Sequence, residues 1–231
     1  MTIPRKTLER EVKSLEDQIL ILGSIVEEAL MTSIELLKRR DLAGAKRLIE
    51  RDVEINARRY AIEGQALTLI ALHQPVASDL RTLAAILEIA TELERIGDYA
   101  KGIAKINVLI GEQPLLKPLM DIPLMAEKAL SMLQSALTAF IMRDAEAAKT
   151  IPCLDNEVDA LYNQVYAELL TYIIADPTCL DQASHLLWVA HNLERAADRV
   201  SNICERILFT VTGEFTEFDS TVSMRTFAPI A

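Results

Sequence analysis

The sequence predicts an all-α protein: two tandem repeats of a three-helix antiparallel bundle, with six long helices in all. Three observations carry this. Leu, Ala, Glu, Arg and Ile dominate the 231 residues, while Gly (7), Pro (8) and aromatics (5%) are too scarce for a sheet-rich fold. Apolar residues recur at helical spacing over long stretches. The chain also resembles itself. Leu193-Glu194-Arg195-Ala196-Ala197-Asp198 repeats Leu93-Glu94-Arg95-Ile96-Gly97-Asp98, an offset of 100 residues (Glu94 to Glu194). Upstream, Arg40-Asp41 matches Arg143-Asp144, and Lys46, Asp52, Glu54 and Ala57 match Lys149, Asp155, Glu157 and Ala160, an offset of 103 (Asp52 to Asp155). The register changes between these blocks, near Pro75 and Pro177, where a helix–helix turn can absorb an insertion.

Each element follows from period and punctuation. The first helix is expected over residues 7–38, with Leu15, Ile19, Leu22, Val26, Ala29 and Leu30 on one stripe. Lys38-Arg39-Arg40 closes it, where positive charge suits the helix dipole. Asp41 reads as the N-cap of a second helix reaching about His73. Pro75 is expected to open the third helix at its first position, and Gly111 lies at its end. Pro114 and Pro118 mark the linker. The second repeat is expected to place helices over 123–142, 144–175 and from the Asp176-Pro177 turn to Val211, stopped by Gly213. The tail, 214–231, lacks helical period and is expected to be loose or irregularly docked. The predicted organisation is thus 1–113 and 114–213 for the two repeats, with 214–231 as a C-terminal tail.

Composition narrows the function. A formal net charge of −10 without a basic patch argues against nucleic acid as a partner. It suits divalent cations or a basic protein surface. The apolar runs fall well short of the roughly 18 residues that a membrane span needs, so no membrane insertion is expected. Cys153, Cys179 and Cys204 are odd in number and form no Cys-x-x-Cys pair. Reduced cysteines and a charged N-terminal region point to a cytoplasmic protein. Glu-x-x-His, Gly-rich phosphate loops and nucleophile elbows are all absent from the sequence, so no catalytic set is expected and the protein reads as a non-enzyme.

The repeated acidic motif is the candidate site. Residues four apart on a helix differ by about 40° around its axis, so Glu94 and Asp98 point the same way, as do Glu194 and Asp198. Their mutual repulsion becomes binding energy if a cation sits between them. Carboxylate oxygens suit iron, manganese, magnesium or zinc. An isolated pair of this kind is usually only a solvated face, as Glu50/Glu54 and Glu88/Glu92 would be. Recurrence in both repeats raises these two pairs above that background. The apolar stripe runs through Ile89, Leu93, Ile96 and Ala100, and through Val189, Leu193, Ala196 and Val200. The acidic pairs lie well off its centre, on a flank or the outer face, so a site here would be shallow and surface-exposed. Asp155 and Asp159 form a further pair on the fifth helix, and Asp52 and Asn56 are their counterparts on the second. His191 shares a side with Glu194 and Asp198, but Thr91 is its equivalent, so a surface or hydrogen-bonding role is expected. His73 and His185 read as structural.

At four places, in order, the chain resembles the PhoU family of phosphate-transport accessory regulators. These are Gln74-Pro75-Val76-Ala77-Ser78-Asp79-Leu80-Arg81, Leu93 to Ala100, Leu193 to Arg199, and Thr210-Val211-Thr212-Gly213-Glu214. The resemblance spans nearly the whole chain. It implies a cytoplasmic homodimer that represses phosphate uptake and phosphate-starvation signalling. The implied partners are the ATPase subunit of the phosphate transporter and the phosphate-sensing histidine kinase. It also implies surface metal clusters on Glu94, Asp98, Glu194 and Asp198, extended to Asp52, Asp155 and Asp159. Asn56, neutral opposite Asp159, breaks the symmetry and would weaken or empty the first site. Two other readings stand beside this one: a metal-binding or metal-storage bundle without a signalling role, and a plain scaffold whose matched motifs are a relic of duplication.

Overall fold

The computed structural model describes residues 5–218 and 224–227. Helix α1 (Arg5–Arg39) buries Leu15, Ile19, Leu22, Val26, Leu30, Ile34 and Leu37 along one side. Each such side chain removed from water contributes about 1.5–3 kcal/mol before entropy is counted. The helix ends where Arg40 turns left-handed (φ 57°) and Asp41 N–H bonds Leu36 O at 2.9 Å. Asp41 then caps α2 (Leu42–His73), its Oδ1 accepting Gly44 N–H at 2.7 Å. Helix α3 (Ser78–Ile110) starts three residues later than Pro75. The reason is the left-handed Ala77 (φ 49°), which puts Pro75-Val76-Ala77 in the turn rather than in the first helical turn.

The second bundle has the same plan with two changes. Helix α4 (Asp121–Met142) begins ahead of Pro123, which its first turn tolerates because no intrahelical partner is needed there. The expected single helix over 144–175 is broken. A short α5 (Ala145–Thr150), capped by Asp144, leads into a 3-10 turn at Ile151–Leu154, and α6 (Asp155–Ala175) follows. Pro152 lacks the amide that a continuous helix would use, which explains the break. A second 3-10 turn at Pro177–Cys179 leads into α7 (Leu180–Thr212). Gly213 ends α7 in a left-handed conformation (φ 80°), as its position predicts.

The tail differs from expectation. Strands β1 (Phe215–Phe218) and β2 (Met224–Phe227) form an antiparallel hairpin in the register Phe215↔Phe227. It is anchored on α7: Phe215 stacks on Phe209 at 4.3 Å between centroids, and Phe218 N–H donates to Glu205 Oε1 at 2.9 Å. Residues 219–223 and 228–231 lie outside the described residues.

The two bundles join mainly through α3 against α7, with α1 against α4 beside them. Glu92 meets Asn202, and Gly102 meets Asn192. These pairs exchange under the offset of 100, so α3 and α7 cross antiparallel about a local two-fold axis. The linker is tied down by Lys117, which is buried and paired with Glu168 on α6, and by Gln182 donating to Pro114 O at 2.5 Å.

Candidate acidic grooves

Each repeat has a groove between its second long helix and its last. In the first repeat α2 contributes Asp52 and α3 contributes Glu94 and Asp98. In the second, α6 contributes Asp155 and Asp159, and α7 contributes Glu194 and Asp198. The pairs on α3 and α7 lie off the core stripe, on its flank rather than on the outer face. They are less open than a free helix surface because the neighbouring helix covers that flank. Glu94, Asp155, Asp159, Glu194 and Asp198 are half-buried, and Asp98 is exposed. Asp52 departs from the expected shallow site, with only 5% of its surface exposed.

The two grooves differ in charge balance. In the second, burial pushes Asp155 up to about 7, helped by the charges of Asp159, Asp198 and Glu194. Burial also pushes Glu194 up to about 7, with Asp198 and Asp159 adding to the shift and Arg195 and Arg199 opposing it. Asp159 is raised by burial and by Asp198. Asp155 Oδ1 and Glu194 Oε2 are buried without a hydrogen-bond partner. His191 Nδ1 stands 3.3 Å from Glu194 Oε2, too poorly aligned for a hydrogen bond. His191 therefore flanks the groove, with the rings of Tyr162 and Trp188 about it at 6.2 and 6.3 Å.

The first groove is held differently. Lys101 Nζ lies 2.6 Å from Asp52 Oδ2 and 3.6 Å from Asp98 Oδ1. Asn56 Nδ2 donates to the same Asp52 Oδ2 at 2.9 Å. Glu94 is raised by burial, Asp98 and Asp52, and this is offset by Arg59 and Arg95. Among the described residues, no three His, Cys, Asp or Glu side chains already converge at metal-holding range.

Sequence reasoning missed Glu92. It is not part of a solvated face but a buried tie between the repeats. Its Oε1 accepts from Arg95 at 2.7 Å, its Oε2 from Asn202 at 3.2 Å, and Arg199 stands 3.5 Å from Oε2. The signal was present in the change from Glu92 to Asn192 between repeats. Cys204 is buried, with its thiol pushed up to about 12, so it is inert, whereas Cys153 is exposed.

The duplicated three-helix bundles define an all-α tandem-repeat protein. Comparison with known proteins narrows this class. The PhoU domain model matches twice, over residues 19–106 and 122–207. The chain is similar to a phosphate-specific transport system accessory protein PhoU homolog of Deinococcus radiodurans, with 36% identity over 90% of this chain and 98% of that protein. A homolog of the same description from Caulobacter vibrioides is 37% identical over 90% and 91%. The crystal structure of the phosphate transport system regulatory protein PhoU from Streptococcus pneumoniae superposes with a TM-score of 0.85 at 32% identity, covering 91% of this chain and all of that one. PhoU from Pseudomonas aeruginosa gives 0.83 at 29% identity, over 89% and 99%. The chain belongs to the PhoU family of phosphate-transport accessory proteins, and its role lies in the regulation of phosphate transport.

Proposed function

We propose that this chain represses phosphate uptake and phosphate-starvation signalling when phosphate is plentiful. It acts as a cytoplasmic, homodimeric adaptor between the ATPase subunit of the phosphate transporter and the phosphate-sensing histidine kinase. The observation that carries this is the pair of PhoU domain matches, in order, over both bundles. Two further features support it. No helix among the described residues is long and apolar enough to cross a membrane, so contact with a transporter would be made through a surface. Exposed Leu72, Val76 and Leu80 near the α2–α3 turn, and Ile174 and Leu180 near the α6–α7 turn, supply apolar area for docking.

The acidic grooves belong to the same proposal. Asp155, Asp159, Glu194 and Asp198 suit a hard or borderline cation such as iron, zinc, manganese or magnesium, because all four donors are carboxylates. The fit rests on Asp155 Oδ1 and Glu194 Oε2, buried oxygens that lack a hydrogen-bond partner, the latter with the His191 imidazole 3.3 Å away. Both belong to groups that their surroundings make costly to ionise. A bound cation supplies the positive charge that lets all four ionise together. Side-chain rotation from α6 and α7 would bring the oxygens onto it.

The test is a deletion strain carrying a phosphate-starvation reporter, complemented with this chain. Repression in high phosphate is expected with the chain and constitutive expression without it. A reporter that stays repressed in the deletion strain would sink the adaptor reading. Metal bound in stoichiometric amount without any effect on the reporter would favour a metal-storage bundle instead.

A further inference from the structure

We infer that the first repeat carries its own cation: the Lys101 ammonium fills the place that a metal ion would take in the second repeat, so the chain loads metal in one half only. This rests on the metal reading of the second groove. The geometry is direct. Lys101 Nζ bridges a carboxylate of α2 and a carboxylate of α3, at 2.6 Å from Asp52 and 3.6 Å from Asp98. Bridging two helices through their carboxylates is what a metal ion would do there. Asp52 is almost fully buried, and a buried carboxylate needs a charge partner. Lys101 supplies it on a tether that no chelator removes.

Three differences between the repeats act in the same sense. Lys101 corresponds to Ser201 at the offset of 100. Asn56 corresponds to Asp159 at the offset of 103, and Arg59 corresponds to Tyr162 at the same offset. Each change makes the first groove more positive or less negative than the second. The Asn56 N–H donates to Asp52 Oδ2, which also accepts from Lys101, while Asp52 Oδ1 is buried without a hydrogen-bond partner, so the ammonium holds the carboxylate through one oxygen alone. In the second groove, Arg199 is directed at Glu92 across the repeat boundary, and Arg195 reaches Asp198 only at 3.9 Å. No ammonium stands at the position of Ser201.

Mn2+ binding to the full chain tests this, measured by equilibrium dialysis and by quenching of Trp188 fluorescence. Trp188 is the only tryptophan, and its ring lies 6.3 Å from that of His191, which flanks the second groove, so quenching reports metal at that groove. We expect the wild-type chain to lose all its bound Mn2+ in Asp155→Asn/Glu194→Gln. We expect Lys101→Ser/Asn56→Asp to bind about twice the wild-type amount by dialysis, and to keep the extra metal when combined with the second-groove changes. Lys101→Arg retains the charge and should gain nothing. If the Lys101→Ser/Asn56→Asp chain is unfolded in chelator, recovery of its helical circular dichroism on adding Mn2+ replaces stoichiometry as the readout. The inference is overturned if Asp155→Asn/Glu194→Gln keeps half of the wild-type Mn2+, or if Lys101→Ser/Asn56→Asp gains none. Wild type binding no Mn2+ at all would instead defeat the metal reading of the second groove. Loading in one half only would fall with it, and the Lys101→Ser/Asn56→Asp arm would then decide the role of Lys101 alone: a gain upholds the ammonium as the stand-in cation, and no gain overturns it.

Discussion

Without a cation, the second groove should make the protein less stable as pH rises. Asp155 and Glu194 both have a folded-state pKa of about 7, above the ordinary values of 3.8 and 4.5. The folded chain therefore holds protons that the unfolded chain has already released. The stability these groups contribute is complete below about pH 4 and is lost as pH climbs through about 7. A fully isolated carboxyl displaced this far would be worth about 4 kcal/mol. Both groups are partly open to solvent, so screening reduces this to about 1–2 kcal/mol each. They also titrate as one coupled set with Asp159 and Asp198, which leaves about 2 kcal/mol for the groove. Urea unfolding followed by far-UV circular dichroism, in chelator, at about pH 5 and about pH 8 measures it. The wild-type chain should lose about 1–2 kcal/mol more over that span than Asp155→Asn/Glu194→Gln does, since part of the effect is already lost at about pH 5. Equal losses in the two proteins would refute the reasoning, as would a wild type that gains stability relative to the variant.

Other expectations follow from the same geometry. Adding Mn2+ at about pH 8 should return most of the lost stability to the wild type and none to Asp155→Asn/Glu194→Gln, read as a shift in the urea midpoint. Glu92→Ala should destabilise by about 3 kcal/mol, because it strands Arg199 and Asn202 at the repeat interface; a double-mutant cycle with Arg199→Ala measures their coupling. Gly213→Ala should cost about 1–2 kcal/mol in thermal unfolding, since φ 80° is left-handed and an added Cβ strains it. A thiol reagent should label Cys153 readily in the native chain and leave buried Cys204 unmodified until unfolding, as peptide mass mapping would show.

Most of the fold was legible because helix period and cap chemistry are local. Asp41 and Gly213 do what their residue types and positions imply. Pro152 carried a break that the helical period around it masks, and Pro75 sits one turn away from where a helix-opening proline would be. The hairpin at Phe215–Phe227 is too short for alternation to stand out, and its hold on α7 through Phe209 and Glu205 is tertiary. The groove residues were readable from the motif and its recurrence, and helical angle placed the α3 and α7 pairs off the core stripe. Their pairing was not. Lys101 and Asp52 are 49 residues apart, and only packing of α2 on α3 brings them together. Asp52 is buried for the same reason. Aligning the repeats position by position does expose Lys101 against Ser201 and Arg59 against Tyr162, because the charge asymmetry is written in sequence even where the contacts are not.

A crystal structure of the Mn2+-loaded chain, with anomalous scattering recorded at the manganese edge, tests the account most directly. The prediction is an anomalous peak among Asp155, Asp159, Glu194 and Asp198, with Lys101 still between Asp52 and Asp98 and no peak in that groove. Equivalent peaks in both repeats, or a peak that displaces Lys101, would contradict it.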